Sequence, residues 1–269
     1  MVKAQIVISI MLCFVSCYSA LPTLRRREVP QEHSHESIVR LCDKALKVDN
    51  PDNIFDAIFG LLDSDGASIG RGSITDPECV QAATADRAFT NAKKLNDVAA
   101  MTAALQYRTL ERNTNQVGTR SPNCTSFTPV NPEIAALSQH QDPAAIGATV
   151  GNRAIVLELA KQIKAIGGNP LDALKTGTFQ AGQVTDPTAR GFTCNDEQDQ
   201  TGCIFTQNLL IQDVTEDDIN NAVGAPANGG TPTSSSAAVA PTLPTAGPDS
   251  DCIAIPVVIT LPATPAPTP

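Results

Sequence analysis

The chain has 269 residues, 42% of them hydrophobic and 4% aromatic, with 28 Asp and Glu against 19 Lys and Arg and a net charge of −9. An acidic chain repels phosphate backbones, which excludes nucleic acid as the expected partner. The apolar share excludes disorder from end to end, and the length suits one domain with a sizeable core plus flanking segments.

Residues 1–20 have the order of a secretory signal peptide: Lys3, a short apolar run over 6–15, and the small-residue close Ser16-Cys17-Tyr18-Ser19-Ala20. The run is shorter than the roughly 20 residues that cross a bilayer. No later stretch is longer, so no membrane span is expected. Arg25-Arg26-Arg27 offers a basic processing site whose cleavage would release 21–27 as a propeptide. Beyond it 15 basic residues face the 28 acidic ones, a mature charge near −13. Cys13 and Cys17 leave with the signal. Cys42, Cys79, Cys124, Cys194, Cys203 and Cys252 remain, and six cysteines in a secreted chain predict three disulfides. Cys194 and Cys203 enclose a short polar loop and are the expected pair. Cys79 is expected to join Cys42 or Cys124.

The body, residues 28–224, reads as helical. Ser37 can cap a first helix whose buried face is Ile38, Cys42, Ala45 and Leu46. Asn50-Pro51 restarts the chain, and Ile54, Phe55, Ile58, Leu61 and Leu62 recur at helical spacing. A flexible turn is expected over 66–72. Asp76-Pro77-Glu78 then supplies a cap, a Pro at N1 and an acidic first turn. Residues 78–117 contain neither Pro nor Gly. Ala88, Ala92, Leu95, Val98, Ala99, Met101 and Leu105 form one stripe, predicting one long helix over about 76–113, or two in tandem, as the spine of the fold. Short helices are expected after Asn131-Pro132 and Asp142-Pro143. A second strong helix spans 152–166, with Ile155, Leu159, Ile163 and Ile166 inward and Gly167 and Pro170 as its stop. Residues 177–202 are irregular, 204–205 and 209–211 look extended, and Thr215 caps a last helix closed by Gly224. Residues 225–269 hold 10 of the 20 Pro, no aromatic residue and two charges, the composition of a disordered Pro/Thr/Ser/Ala-rich tail. The fold class is therefore all-α: a single disulfide-stapled helical domain with long loops and a disordered C-terminal tail.

Few residues carry a chemical signature. Gly66-Ala67-Ser68-Ile69-Gly70 spells the nucleophile elbow, which requires a strand before the serine and a helix after it. A helix is expected before it, so the motif reads as a turn. His33, His35 and Glu36 are metal-ligand types on a segment read as solvated. His140-Gln141-Asp142 offers a base and a carboxylate without a nucleophile, and His140 is expected to pack a helix end. Asp196, Glu197 and Asp199 lie near Asp213, Glu216, Asp217 and Asp218, an acidic region where Asp196 and Asp199 are weak candidates for a hard cation. The EF-hand spacing occurs nowhere. No Cys-x-x-Cys occurs, so zinc is not expected, and no cofactor is called for. The mature chain has no Trp and one Tyr, Tyr107, which argues against an aromatic sugar platform. Asn123-Cys124-Thr125 is a glycosylation sequon, made a poor acceptor by a cysteine expected in a disulfide.

Several phrases taken together, Leu110-Glu111-Arg112-Asn113-Thr114, Cys124-Thr125-Ser126-Phe127-Thr128-Pro129, Asn131-Pro132-Glu133-Ile134 and Cys203-Ile204-Phe205-Thr206-Gln207-Asn208, resemble a group of uncharacterised fungal secreted proteins. The resemblance covers about residues 76–224 and implies an extracellular or cell-wall location, with no catalytic residues to transfer. The expected function is a secreted non-catalytic protein acting through its surface on extracellular or cell-wall components, with an effector-like role in the same class. The alternatives are an enzyme using carboxylates of the 194–218 region and a small-ligand carrier with a cavity between the two strongest helices.

Overall fold

A computed structural model describes residues 31–224. The expected signal peptide, propeptide, Pro-rich tail and Cys252 lie outside them. Eight α-helices follow in order among the described residues: α1 (Glu36–Leu46), α2 (Ser64–Gly70), α3 (Val80–Lys94), α4 (Val98–Thr109), α5 (Pro132–Ala135), α6 (Ala148–Ala165), α7 (Cys203–Thr206) and α8 (Glu216–Gly224). Short 3-10 turns at Ala57–Leu61, Pro77–Cys79 and Pro170–Thr176 link them. The one β-type pairing among the described residues is an isolated antiparallel bridge, Thr178 with Ile211. The domain is all-α, as its periodicity predicts.

The expected spine is a helical hairpin rather than one rod. Asn96 takes a left-handed conformation with φ 52°, and Asp97 accepts from the Ala100 N–H at 3.0 Å to start α4. Asn is among the few residues that enter this region at low cost, and Asp is a strong N-cap. The hairpin is locked at its open end by Gln81, whose Nε2 donates to the carbonyls of Tyr107 and Leu110 at the C-terminus of α4. Ala83, Ala88, Ala92, Ala100 and Ala104 are buried, and their small side chains let the helices approach closely. α1 packs on both arms of the hairpin. Asn91 of α3 closes the end of α1 by donating to the carbonyls of Ala45, Leu46 and Asp49. Asp86 accepts from the backbone N–H groups of Val130 and Asn131, which seats α5. α6 lies against α4, burying Val156, Leu159, Ala160 and Ile163, and α8 lies on α6. These side chains join the main core cluster.

Several expectations are corrected by local chemistry. The helix expected over 50–62 is only the 3-10 turn, because Asn50 bonds both the N–H and the carbonyl of Ile54 and Asn53 turns to φ 54°. Such side-chain bonds compete with the helix ladder. Residues 66–72, expected as a turn, mostly lie in α2, which Asp63 caps at Gly66. Ser68 is therefore inside a helix, its hydroxyl spent on the Ser64 carbonyl, and no elbow forms. No helix follows Asp142-Pro143. α6 starts only at Ala148, after Gly147 at φ 76°. Residues 203–206 are a helical turn where an extended stretch is expected. The first helix begins one residue before Ser37, with its hydroxyl donating to the Thr201 carbonyl instead of capping.

Two disulfides staple the loops: Cys79–Cys124 and Cys194–Cys203. Cys42, expected to pair, has no disulfide partner among the described residues, and Cys252 lies outside them. Cys42 is a free thiol, fully buried on the inward stripe of α1, where it packs as a small apolar residue. Burial, with Asp43 and Asp56 nearby, raises its pKa well above the ordinary thiol value.

Candidate functional site: a buried carboxylate–histidine cluster

The densest chemistry lies where four irregular segments meet the ends of α1 and α4. The Cys194–Cys203 loop is fastened to the chain entering α1. Asn195 accepts from the His33 N–H at 2.9 Å, and Ser34 and Ile204 are joined backbone to backbone. Gly202, at φ 110°, passes so close to the Ser34 carbonyl that a Cβ there would collide with it. This fastening buries Gln31, Ser34, His35 and Glu36, contrary to the expectation of a solvated segment. Glu36 pairs with Arg40 and with His33.

His35 lies edge-on to Phe205. Its Nε2 contacts the Gly177 carbonyl at 3.1 Å and its Nδ1 contacts the Ser34 hydroxyl at 2.9 Å. Donation from Nε2 to the carbonyl leaves Nδ1 to accept from Ser34, the neutral tautomer. Burial, reinforced by His140, lowers the His35 pKa to about 3. His140 is fully buried at the end of α4, where its Nδ1 donates to the Thr109 carbonyl at 2.5 Å. Its Nε2 faces Asp213 Oδ2 at 3.5 Å. Both of those atoms are buried with no hydrogen-bond partner.

Glu111 and Asp142 complete the cluster. Asp142 accepts from the N–H groups of Gly118 and Ala144, each at 2.8 Å. Glu111 accepts no such backbone donors. Burial and the neighbouring Asp142 push its pKa up to about 8, the Gln31 side chain working against them and Asp213 adding to them. Glu111 is therefore a neutral carboxylic acid in a mildly acidic medium. The space over it is a cavity of about 10 Å³ walled by Val117, Asp142, Pro143, Phe179 and Phe192 with the backbone of Gly182 and Gly191. That is room for about one water.

The acidic run that the sequence offers for a cation is dispersed. Asp196 caps the Gln198 N–H, and Asp199 accepts from Thr201, Gly202 and Thr206. Asp218 forms a two-pronged pair with Arg153 and an N-terminal capping box with Thr215. Asp213 alone turns inward. No group of three or more His, Cys, Asp or Glu among the described residues is arranged to hold a metal ion. Asn123 is exposed beside the Cys79–Cys124 disulfide, its side-chain oxygen accepting from Gln139. Sequence reasoning singles out His140 and Asp142, names Asp213 only within the acidic region, and misses Glu111. Glu111 reads as an ordinary helix-end residue, and Asp213 as one of several acids.

The outer surface carries apolar residues too. Phe55 and Ile69 are 74% and 81% exposed, and Phe55 stacks edge-to-face on Phe59, which covers Gly70. The Phe55 N–H donates to the Gly70 carbonyl, which brings the Phe55–Phe59 pair against the end of α2. No family model, curated protein or solved structure matches the chain.

Proposed function

We infer that the protein is a secreted, non-catalytic domain that works through its outer surface on extracellular or cell-wall components. The observation that carries this reading is the pair of disulfides, each closing an irregular loop onto the helical body. Such bonds persist in oxidising compartments. No helix among the described residues is long and apolar enough to cross a membrane, which is compatible with the same reading. The exposed Phe55, packed on Phe59, and the exposed Ile69 nearby in α2 support action by contact, because large apolar groups in water mark interaction sites when they cluster. The signal-like first 20 residues and the resemblance to fungal secreted proteins favour the same compartment.

The test is fractionation of producing cells into cytosol, wall and medium. The reading expects the chain in the wall or medium, oxidised at Cys79, Cys124, Cys194 and Cys203. A reduced protein confined to the cytosol would end it. Replacing Phe55 and Ile69 by Ser should then release wall-held protein into the medium without altering its circular dichroism. Unchanged retention would remove the apolar face from the account.

A further inference from the structure

The chain contains one Asn-x-Ser/Thr sequence, Asn123-Cys124-Thr125, whose middle cysteine is expected to spoil it as an acceptor. The fold gives that cysteine the opposite effect. The Cys124 sulfur turns inward to Cys79 and leaves Cys124 half-buried, while Asn123 and Thr125 on either side of it are exposed. Successive side chains of an extended chain point to opposite sides, and the burial of residues 123–125 follows that order. Drawing the middle residue in turns its two neighbours out.

The segment is fastened along its inner edge. Arg112 and Gln139 donate to the Pro122 carbonyl, the Ser121 N–H donates to Gln141 at 2.8 Å, and Ser126 donates to Asp76 at 2.7 Å. Gln139 also donates to Asn123 Oδ1 at 3.3 Å, which holds that amide by its oxygen and leaves Nδ2 without a partner. The Thr125 hydroxyl makes no hydrogen bond among the described residues. Residues 121–125 lie outside every helix, and no backbone–backbone hydrogen bond ties them. The disulfide also forms late. Cys79 and Cys124 are 45 residues apart with α3 and α4 between them, so the two sulfurs meet only once that hairpin has folded. Until then the sequence is an open chain with an ordinary thiol in its middle.

We propose that Asn123 carries an N-linked oligosaccharide in the folded protein, with the Cys79–Cys124 bond closed beneath it. This rests on the secreted reading, because the sugar donor belongs to the secretory path. Asn123 Nδ2 attacks the anomeric carbon of a polyprenyl-diphosphate-linked oligosaccharide. The carbon–nitrogen bond forms as the carbon–oxygen bond to the diphosphate breaks, and the amide gives up one proton. The product keeps both fastenings of the site, the Asn123 Oδ1 contact to Gln139 and the disulfide, since neither uses Nδ2. A bulky, hydrated group is tolerated there because the position faces water.

The test is mass spectrometry of the full chain from producing cells, after peptide-N-glycosidase treatment in heavy-oxygen water. The enzyme converts a glycosylated Asn to Asp and marks it with the heavy oxygen. The proposal expects that mark at Asn123, a faster-migrating band after treatment, and the mark on peptides still bridged between Cys79 and Cys124. Asn123→Gln and Thr125→Ala should lose the band shift, and Thr125→Ser should keep it. An oxidised chain in the wall or medium without the mark would overturn the site and leave the secreted reading standing, whereas a reduced chain confined to the cytosol would overturn both. A mark confined to molecules with Cys124 unpaired would also overturn the proposal. Should the variants fail to fold, the mark on the natural sequence decides alone.

Discussion

The two polar regions of this domain behave in opposite ways. Around the α3–α4 hairpin, three buried polar side chains meet backbone groups that need partners, although Thr84 Oγ1, Asn91 Oδ1 and Arg108 Nε stay unpaired. Asn91 takes three carbonyls of α1, Gln81 takes two of α4, and Asp86 takes two N–H groups ahead of α5. Around Glu111 the groups are acids and imidazoles that compete for protons. A satisfied polar network fixes one structure at all ordinary pH values, while an under-supplied one makes the structure depend on pH.

The largest expected effect lies on the hairpin side. Replacing Cys79 and Cys124 by Ser should cost about 4 kcal/mol, since their link closes a longer loop than Cys194–Cys203, for which about 3 kcal/mol is expected. Urea midpoints of the two double variants measure the difference, and a reversed order would contradict the chain-entropy account. Asn91→Ala comes next. It strands three carbonyls at the end of α1 and should cost about 3 kcal/mol at pH 5 and pH 8 alike. A cost that varied with pH would blur the contrast between the regions.

The cluster side should show the reverse pattern. Glu111 has a folded pKa raised from 4.5 to about 8, so its favourable contribution is complete below pH 4.5 and is lost as pH rises toward 8. His35 has a folded pKa lowered from 6.5 to about 3, so below 6.5 the unfolded chain takes up a proton that the folded one refuses. Stability then falls as pH drops from 6.5 to 3. Each slope is at most about 1.4 kcal/mol per pH unit. Where the two overlap, between 4.5 and 6.5, they cancel. Glu111→Gln should therefore be near neutral at pH 5 and stabilising at pH 8, a sign that no hairpin substitution shares. The smallest effect belongs to the acids left in solvent. Asp196→Asn should leave both the urea midpoint and its pH dependence unmoved, and a calcium-dependent shift lost in that variant would revive a cation site there.

How much of this the sequence shows follows from what kind of signal each part carries. α6 and the last helix are legible because their apolar spacing, Gly167 stop and Thr215 cap are local. The hairpin turn is written in Leu95-Asn96-Asp97, but the alanine-rich stripe runs on across it and masks it. The 50–62 stretch has the period of a helix, yet Asn50 closes on Ile54 and tertiary packing of Gly60 against Gln81 and Tyr107 sets the path. The cluster is the least legible part. Gln31, His35, Glu111, His140, Asp142 and Asp213 come from segments without periodicity, brought together by the disulfide loop and Gly202. Cys42 shows what counting leaves open: an even number of thiols predicts pairing, while on the inward stripe of α1 it has no partner among the described residues.

The most direct measurement is the urea midpoint of the natural sequence and of Glu111→Gln from pH 3 to pH 9. The account predicts a plateau between about 4.5 and 6.5 with a fall on both sides in the natural sequence, and in the variant a climb that continues to about 6.5 and then levels, with no alkaline fall. A midpoint that climbs steadily to pH 8, or a variant whose curve parallels the natural one throughout, would contradict it.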